Sequence, residues 1–214
     1  MFLPSALLRE ARRQKQLPVA DVPEICILDP DGDIVRRLKV AGRAVHFDAW
    51  PCYHTDLYTF SLGGVTVGLL GVVGAPYAVL IAEELFACGC RALISLTSAG
   101  QIVSAGTPPY FVVIDRALRD EGTSYHYAAP GLFAEADPQL VATVIDALEK
   151  AGLRAFVGPS WTTDAPFRET VDAVEAARAK GILAVEMEAA ALYTFARRRG
   201  VTVLCLAHVT NPWG

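Results

Sequence analysis

The sequence predicts one α/β domain over residues 1–214, with three α/β/α layers around a mixed, largely parallel central sheet. Three observations predict it. Runs of aliphatic and β-branched residues recur along the chain, most of them apolar throughout, as strands covered on both faces require. Stretches with helical spacing of apolar residues lie between them. The chain has 214 residues, 53% hydrophobic and 20% charged, enough for one large core and short for two.

The elements follow in order. The opening "MFLPSALLREARRQKQLP" reads as an amphipathic helix ending near Leu17-Pro18; apolar residues precede basic ones, the reverse of a secretory signal. "EICILD" (24–29) and "VTVGLLGV" (65–72) are strands, and "PYAVLIAEELFACG" (76–89) is a helix. "ALISLT" (92–97) and "YFVVIDRAL" (110–118) are strands, followed by a helix over 137–152 with Asp137 as N-cap and Pro138 at N1. A helix over 168–181 leads to the strand "GILAVEM" (181–187), a helix over 188–200 and a last strand, "VTVLCLAHVT" (201–210). Three of these helices close on Lys or Arg with Gly next or one residue on, which suits both the helix dipole and a left-handed C-terminal residue.

Composition excludes several functions. Net charge is −4 without a basic tract, which argues against nucleic acid or an anionic membrane as partner. No window approaches the roughly 18 uninterrupted apolar residues of a membrane span. The five cysteines, Cys26, Cys52, Cys88, Cys90 and Cys205, lack metal-ligand spacing. Four of them sit in apolar surroundings, which suggests reduced, buried thiols of a cytoplasmic protein, with no metal site.

In such sheets ligands collect where strands end. Those ends are "LDPDGD" (28–33), "GVVGAP" (71–76), "LTSAGQ" (96–101), "VEMEAA" (185–190) and "HVTNPWG" (208–214). Glu186 and Glu188 lie two apart where a strand runs out, so an extended backbone turns them to one side. Two carboxylates so placed can accept hydrogen bonds from a vicinal diol such as the ribose 2′ and 3′ hydroxyls, with Met187 as an apolar surface between them. The same glutamates also suit the first turn of a helix, where they complement its dipole.

"VEMEAAALYTFA", with its Gly-ended helix and following strand, resembles the nucleoside phosphorylase superfamily, of the uridine phosphorylase and hexameric purine nucleoside phosphorylase type. "GVVGAPYAVLIAEEL", "LTSAGQI", "RDEGTSYHY" and "WTTDAPFRET" are similar to further family segments in order and spacing, over about residues 22–211. The resemblance implies a glycosyltransferase of nucleoside metabolism and nucleotide salvage that cleaves an N-glycosidic bond. Phosphate would attack C1′ through an oxocarbenium-like transition state while the base departs. It puts Glu188 on the ribose hydroxyls, Met187 against the sugar and Glu186 in the same pocket. Ser98 and Gly100 would form the turn touching phosphate or sugar, and Trp161 would stack on the base. Arg168 either donates to pyrimidine carbonyls or pairs with Glu169 or Asp172 on a solvated helix. Asp164 reads as a turn residue. The resemblance further implies a homo-oligomer, a dimer or a trimer of dimers, with phosphate as co-substrate and no cofactor.

The chain departs from the family in places that matter. The phosphate loop Gly-Asp-Pro-x-Arg is here Leu28-Asp29-Pro30-Asp31-Gly32, without its glycine or arginine and with an added acid. Ser95 stands where the phosphorylases carry a second arginine. Arg36, Arg37 and Arg43 are the nearby cations, and a dibasic pair after a turn also reads as a solvated face. Purine-specific members have an aspartate that protonates N7; here Asn211 can donate a hydrogen bond but no acid proton, which tilts the base towards a pyrimidine or modified base. Glu188 and Asn211 are the candidate catalytic residues. His208 reads as a packed residue. Members generally continue with another helix where this chain ends at Pro212-Trp213-Gly214, so the C-terminal helix is expected to be missing or short. Three functions remain open: a phosphorylase, a hydrolytic nucleosidase in which Asp29 or Asp31 replaces the usual early glutamate, and a nucleoside-binding paralogue without turnover.

Overall fold

Alternation along the inner strands dictates the layers. In β1 (Ile25–Leu28), Cys26 and Leu28 pack into a cluster with α1 (Pro4–Lys15), α3 (Ala75–Ala87) and α6 (Ala189–Arg199). Ile25 and Ile27 turn to the other face and meet Ile34, Val35 and Leu38 of α2 (Asp33–Val40). Further along that face, Ile94 and Leu96 of β5 (Ala92–Gln101) meet Val141 and Val144 of α4 (Pro138–Lys150). Helices therefore cover both sides of the sheet, as continuously apolar strands demand. This structure, a computed structural model, describes residues 2–212; Trp213 and Gly214 of the closing motif lie outside them.

The remaining strands are β2 (Val45–His46), β3 (Tyr58–Leu62), β4 (Val65–Leu70), β6 (Tyr110–Asp120), β7 (Phe133–Glu135), β8 (Ala155–Thr163), β9 (Ala184–Glu186) and β10 (Thr202–Pro212). The sheet is mixed, in the order β10-β6-β8-β9-β5-β1-β4-β3-β2, with β7 beside β6. β1 runs parallel to β4 and β5, and β6 parallel to β8. β10 also pairs with β5 along its length, so β5, β10, β6, β8 and β9 close on themselves at one end. That closure gathers the ends of β5, β9 and β10 around one mouth.

Several sequence expectations change here. "LTSAGQ" is not a turn after a strand: β5 stays extended to Gln101 because β10 pairs with one edge and β9 with the other. β8 was hidden by Gly158 and Pro159. α2 occupies the stretch read as a dibasic solvated face, and Arg36 does lie on its exposed side, paired with Asp33 at 2.7 Å. The helix expected over 168–181 shortens to α5 (Val171–Arg178), capped by the Thr170 hydroxyl, after a 3-10 turn at Pro166–Arg168. All five cysteines are free and buried. Among the described residues no helix is long and apolar enough to cross a membrane, and no cluster of His, Cys, Asp or Glu could hold a metal ion.

Candidate functional site

The strand ends build a cavity of about 290 Å³ lined by Asp31, Ser98, Gly100, Glu186, Met187, Glu188 and Asn211, with Pro166 and Glu169 at its side. Its polar residues come from five separate segments, and each has a local reason to be there. A larger cleft of about 680 Å³, between α1, α3 and residues 122–127, holds none of these groups.

Glu186 ends β9 and caps α6. Its Oε2 accepts the N–H groups of Glu188 and Ala189, each at 2.7 Å. Its Oε1 accepts the hydroxyls of Ser160 at 2.9 Å and Thr162 at 2.5 Å. Thr162 in turn accepts the Ala190 N–H at 2.9 Å. Glu186 lines the cavity, yet both its oxygens are committed to the protein, so the helix-terminus reading applies to it. Burial nonetheless pushes its carboxyl up.

Glu188 is held differently. It is 1% exposed. Its Oε1 accepts the Gly74 N–H at 2.7 Å, and its Oε2 is buried without a partner. An unpaired buried carboxylate oxygen has a desolvation cost that a ligand donor would remove. The carboxyl is pushed up to about 8, first by burial and then by the Glu186 charge. Asp31 adds to the rise, while the N–H groups of Gly74 and Met187 oppose it. Gly74 presents that N–H from a backbone with φ 86° and ψ 147°, a region for glycine only. The glycine-rich turn after β4 thus supplies half of the glutamate's seat.

Ser98 stands near the end of β5 and donates twice to one residue. Its N–H reaches Asp31 Oδ2 at 2.7 Å and its hydroxyl reaches Asp31 Oδ1 at 2.8 Å. Asp31 is presented by a tight turn in which the Gly32 N–H donates to the Asp29 carbonyl at 2.9 Å, with Gly32 at φ 69°. The buried Asp29 carboxylate accepts the Val35 N–H at 2.8 Å and fixes the turn to α2. Asn211 lies beside Gly100 across the β10–β5 pair, just after a bulge at Thr210, whose hydroxyl donates to the Asn211 side-chain oxygen at 2.9 Å. Bulges re-aim side chains in this way.

Two expected site residues are not brought to the cavity. Trp161 sits between Ser160 and Thr162, whose hydroxyls face Glu186, so the strand's period of two turns its ring to the opposite side. There it is 3% exposed among Ile102, Val174, Ala177, Ile182 and Val185, and its Nε1 donates to Asp120 at 2.9 Å. Arg168 closes the 3-10 turn on its solvent side and is exposed, while Pro166 and Glu169 of the same segment line the cavity. Asp164 stands at the bend after β8 and accepts the Gly122 N–H at 2.8 Å from another segment, while the local turn bond is made by the Thr163 hydroxyl, which accepts the Ala165 N–H at 3.1 Å. His208 stacks on Phe111 with ring centroids 4.8 Å apart. Sequence reasoning missed the lock between Asp31 and Ser98 and the Gly74 donor, because their partners lie far away along the chain.

Comparisons with known proteins agree with one another. A family model described as the phosphorylase superfamily matches residues 24–214. The uridine phosphorylase of Thermococcus kodakarensis is 30% identical over 219 residues, covering 91% of this chain and 76% of that protein. The guanosine phosphorylase of Halorubrum lacusprofundi is 30% identical over 129 residues, 60% of this chain and 54% of its own length. A DeoD-type purine nucleoside phosphorylase of Roseobacter denitrificans is 31% identical over 160 residues, 72% of this chain and 66% of that protein. The crystal structure of uridine phosphorylase from Vibrio fischeri ES114 superposes with a TM-score of 0.78 at 25% identity, over 90% of this chain and 82% of that one.

Proposed function

The chain belongs to the phosphorylase superfamily, as an enzyme of the nucleoside phosphorylase family, and from this we propose that it cleaves the N-glycosidic bond of a pyrimidine or modified nucleoside. The observation that carries the reading is Glu188: a carboxyl group, 1% exposed, with one oxygen anchored and the other unpartnered, lining a cavity with Met187 and Ser98. A ribose 2′,3′-diol supplies the donors that this oxygen lacks. Met187 packs against the sugar face, and Gly100 leaves room beside it. As the glycosidic bond lengthens, positive charge develops on the sugar, and the acidic lining stabilises it more than it stabilises the neutral substrate.

Phosphate is the acceptor used by a phosphorylase, and the chain needs no further cofactor for this chemistry. The base preference rests on Asn211, which lines the same cavity and can donate a hydrogen bond to a departing pyrimidine carbonyl but cannot deliver an acid proton to a purine N7. The reading leaves Trp161 and Arg168 outside first contact with the base. A homo-oligomeric assembly is supported by exposed apolar side chains just before α1 and midway along α3, among them Phe2, Leu3 and Leu80.

The test is chromatographic product analysis on a panel of pyrimidine and purine nucleosides in phosphate buffer. Base release with ribose 1-phosphate, fastest for pyrimidine or modified nucleosides, is expected. Failure to bind or cleave any nucleoside would refute the reading.

A further inference from the structure

Asp31, Glu169, Glu186 and Glu188 all line one cavity, and among the described residues no lysine, arginine or histidine lines it with them. Arg37 lines an adjoining cleft, in the company of Asp29, Asp31 and Asp33. The Ser98 N–H and hydroxyl, a two-point seat for an anion, both reach Asp31, at 2.7 and 2.8 Å. After burial, the charges of Glu186 and Asp31 push the Glu188 carboxyl up. Glu188 marks the same cavity as a ligand site on other grounds, since it is 1% exposed and its Oε2 has no partner. A cavity lined by one sign of charge draws in a cation and opposes an anion.

The departing base sets a second constraint. A neutral purine leaves readily when a proton reaches its ring nitrogen, and Asn211 in this lining has no acid proton to give. A base that already carries positive charge needs none. An alkyl group on purine N7, or on N3 of cytosine, does in advance the electronic work of that proton. The acidic lining and the amide at Asn211 therefore ask for the same kind of base.

We infer that the preferred substrates of this site are cationic nucleosides, those whose base is alkylated on a ring nitrogen and so bears a positive charge. The inference rests on the nucleoside reading of the Glu188 cavity and names its substrate class. In the step, a phosphate oxygen forms a bond to C1′ while the C1′–N bond breaks. The electron pair of that bond goes to the base nitrogen and cancels the positive charge. Ribose 1-phosphate and a neutral alkylated base result, with no proton delivered to the base. As the bond lengthens, positive charge passes from base to sugar and stays in front of the carboxylates throughout. While on the base, it also offsets the acidic lining for an arriving phosphate dianion.

The experiment is calorimetry in slightly acidic, phosphate-free buffer on two matched pairs, 7-methylguanosine with guanosine and 3-methylcytidine with cytidine, with uridine as reference. The methylated member of each pair is a cation there. The full chain is measured beside Glu169→Gln and Asp31→Asn, each of which removes one negative charge from the lining. Asp31 is exposed and Glu169 half-buried, so both variants are expected to fold, and circular dichroism checks this. Expected is tighter binding of the cation in at least one pair, by roughly tenfold or more, and a preference that shrinks about threefold in each variant. Adding phosphate should then release the methylated base, followed by chromatography. No preference for the cation in either pair, with uridine still bound, would overturn this inference and leave the nucleoside reading standing. A preference that both variants keep in full would belong to the methyl group and overturn the part played by charge. Tight binding without release on adding phosphate would make the cation an inhibitor and overturn its place as substrate. Absence of binding by every nucleoside tested would remove the cavity reading itself.

Discussion

The Glu186 carboxylate accepts the backbone N–H of Glu188 at 2.7 Å. Two acids two residues apart thus have different work: the first builds the seat in which the second is held. The same Glu186 oxygen takes the Ala189 N–H, and the other takes the hydroxyls of Ser160 and Thr162. β8, β9 and α6 meet at this one side chain. Glu186→Ala should lower unfolding stability by roughly 3 kcal/mol or more, since buried donors lose their acceptor. Urea titration checks this; a change below about 1 kcal/mol would mean that water or a shifted side chain replaces the carboxylate.

Glu188→Gln should behave in the opposite sense. Its amide keeps an acceptor for the Gly74 N–H but cannot accept from two ribose hydroxyls with the strength of a carboxylate. Base release should fall roughly 100-fold or more, while the fold remains as stable or becomes more so. Steady-state kinetics alongside thermal denaturation separate the two effects. Unchanged kcat/KM would remove Glu188 from the site.

The pH dependence of stability has a sign that follows from the Glu188 environment. Burial, then the Glu186 charge, raise this carboxyl from 4.5 to about 8 in the folded chain. Between those values the folded state holds a proton that the unfolded state has lost, so stability falls as pH rises through the window. Above about pH 8 both states are ionised and the loss levels off. The full effect is of the order of 5 kcal/mol, at 1.36 kcal/mol for each unit of pH. Unfolding free energies measured from pH 5 to pH 9 should decline in the native chain and decline less in Glu188→Gln. Equal slopes would assign the decline to another group.

Much of the fold was legible because local signals agreed with tertiary needs. α4 begins at an Asp137 cap whose side chain accepts the Gln139 N–H at 2.8 Å, and α6 ends at Gly200 with φ 66°. β8 was illegible because Gly158 and Pro159 look like a break. Gly158 is there because a Cβ would lie 2.4 Å from Leu183 Cδ1, a close approach that only the folded sheet creates. β5 past Thr97 looked like a turn because Ser-Ala-Gly is turn chemistry, and pairing on both edges overrode it. In the site, Glu188 and Met187 were legible from one motif. The split between Glu186 and Glu188 was not, because it depends on Ser160, Thr162 and Gly74, none of them adjacent in sequence.

Gly74→Ala tests the seat from its other side. The added Cβ would meet nothing within 4 Å, so the effect is conformational alone, through φ 86°. Strain of roughly 1–3 kcal/mol is expected if the backbone holds. Relief of that strain would swing the N–H away from Glu188 Oε1. Activity should drop with little further loss of stability, and Glu188→Gln should then add less in the double variant than alone. Additive losses would show that Gly74 and Glu188 act separately.

Trp161 separates a packing role from a base-stacking one. Its ring is 3% exposed on the face of β8 away from Glu186, against Val174 and Ala177 of α5, with its N–H donated to Asp120 at 2.9 Å. Trp161→Ala should cost roughly 3–5 kcal/mol of stability by leaving a cavity. Trp161→Phe should cost less, since it keeps most of the ring volume and loses one hydrogen bond. Neither should change nucleoside affinity per folded molecule, because the ring does not line the cavity. Denaturant titration together with nucleoside calorimetry at low temperature distinguishes the cases. A stable Trp161→Phe variant with weakened nucleoside binding would show that the tryptophan reaches the base in the bound state, and that the strand turns its other face when the site fills.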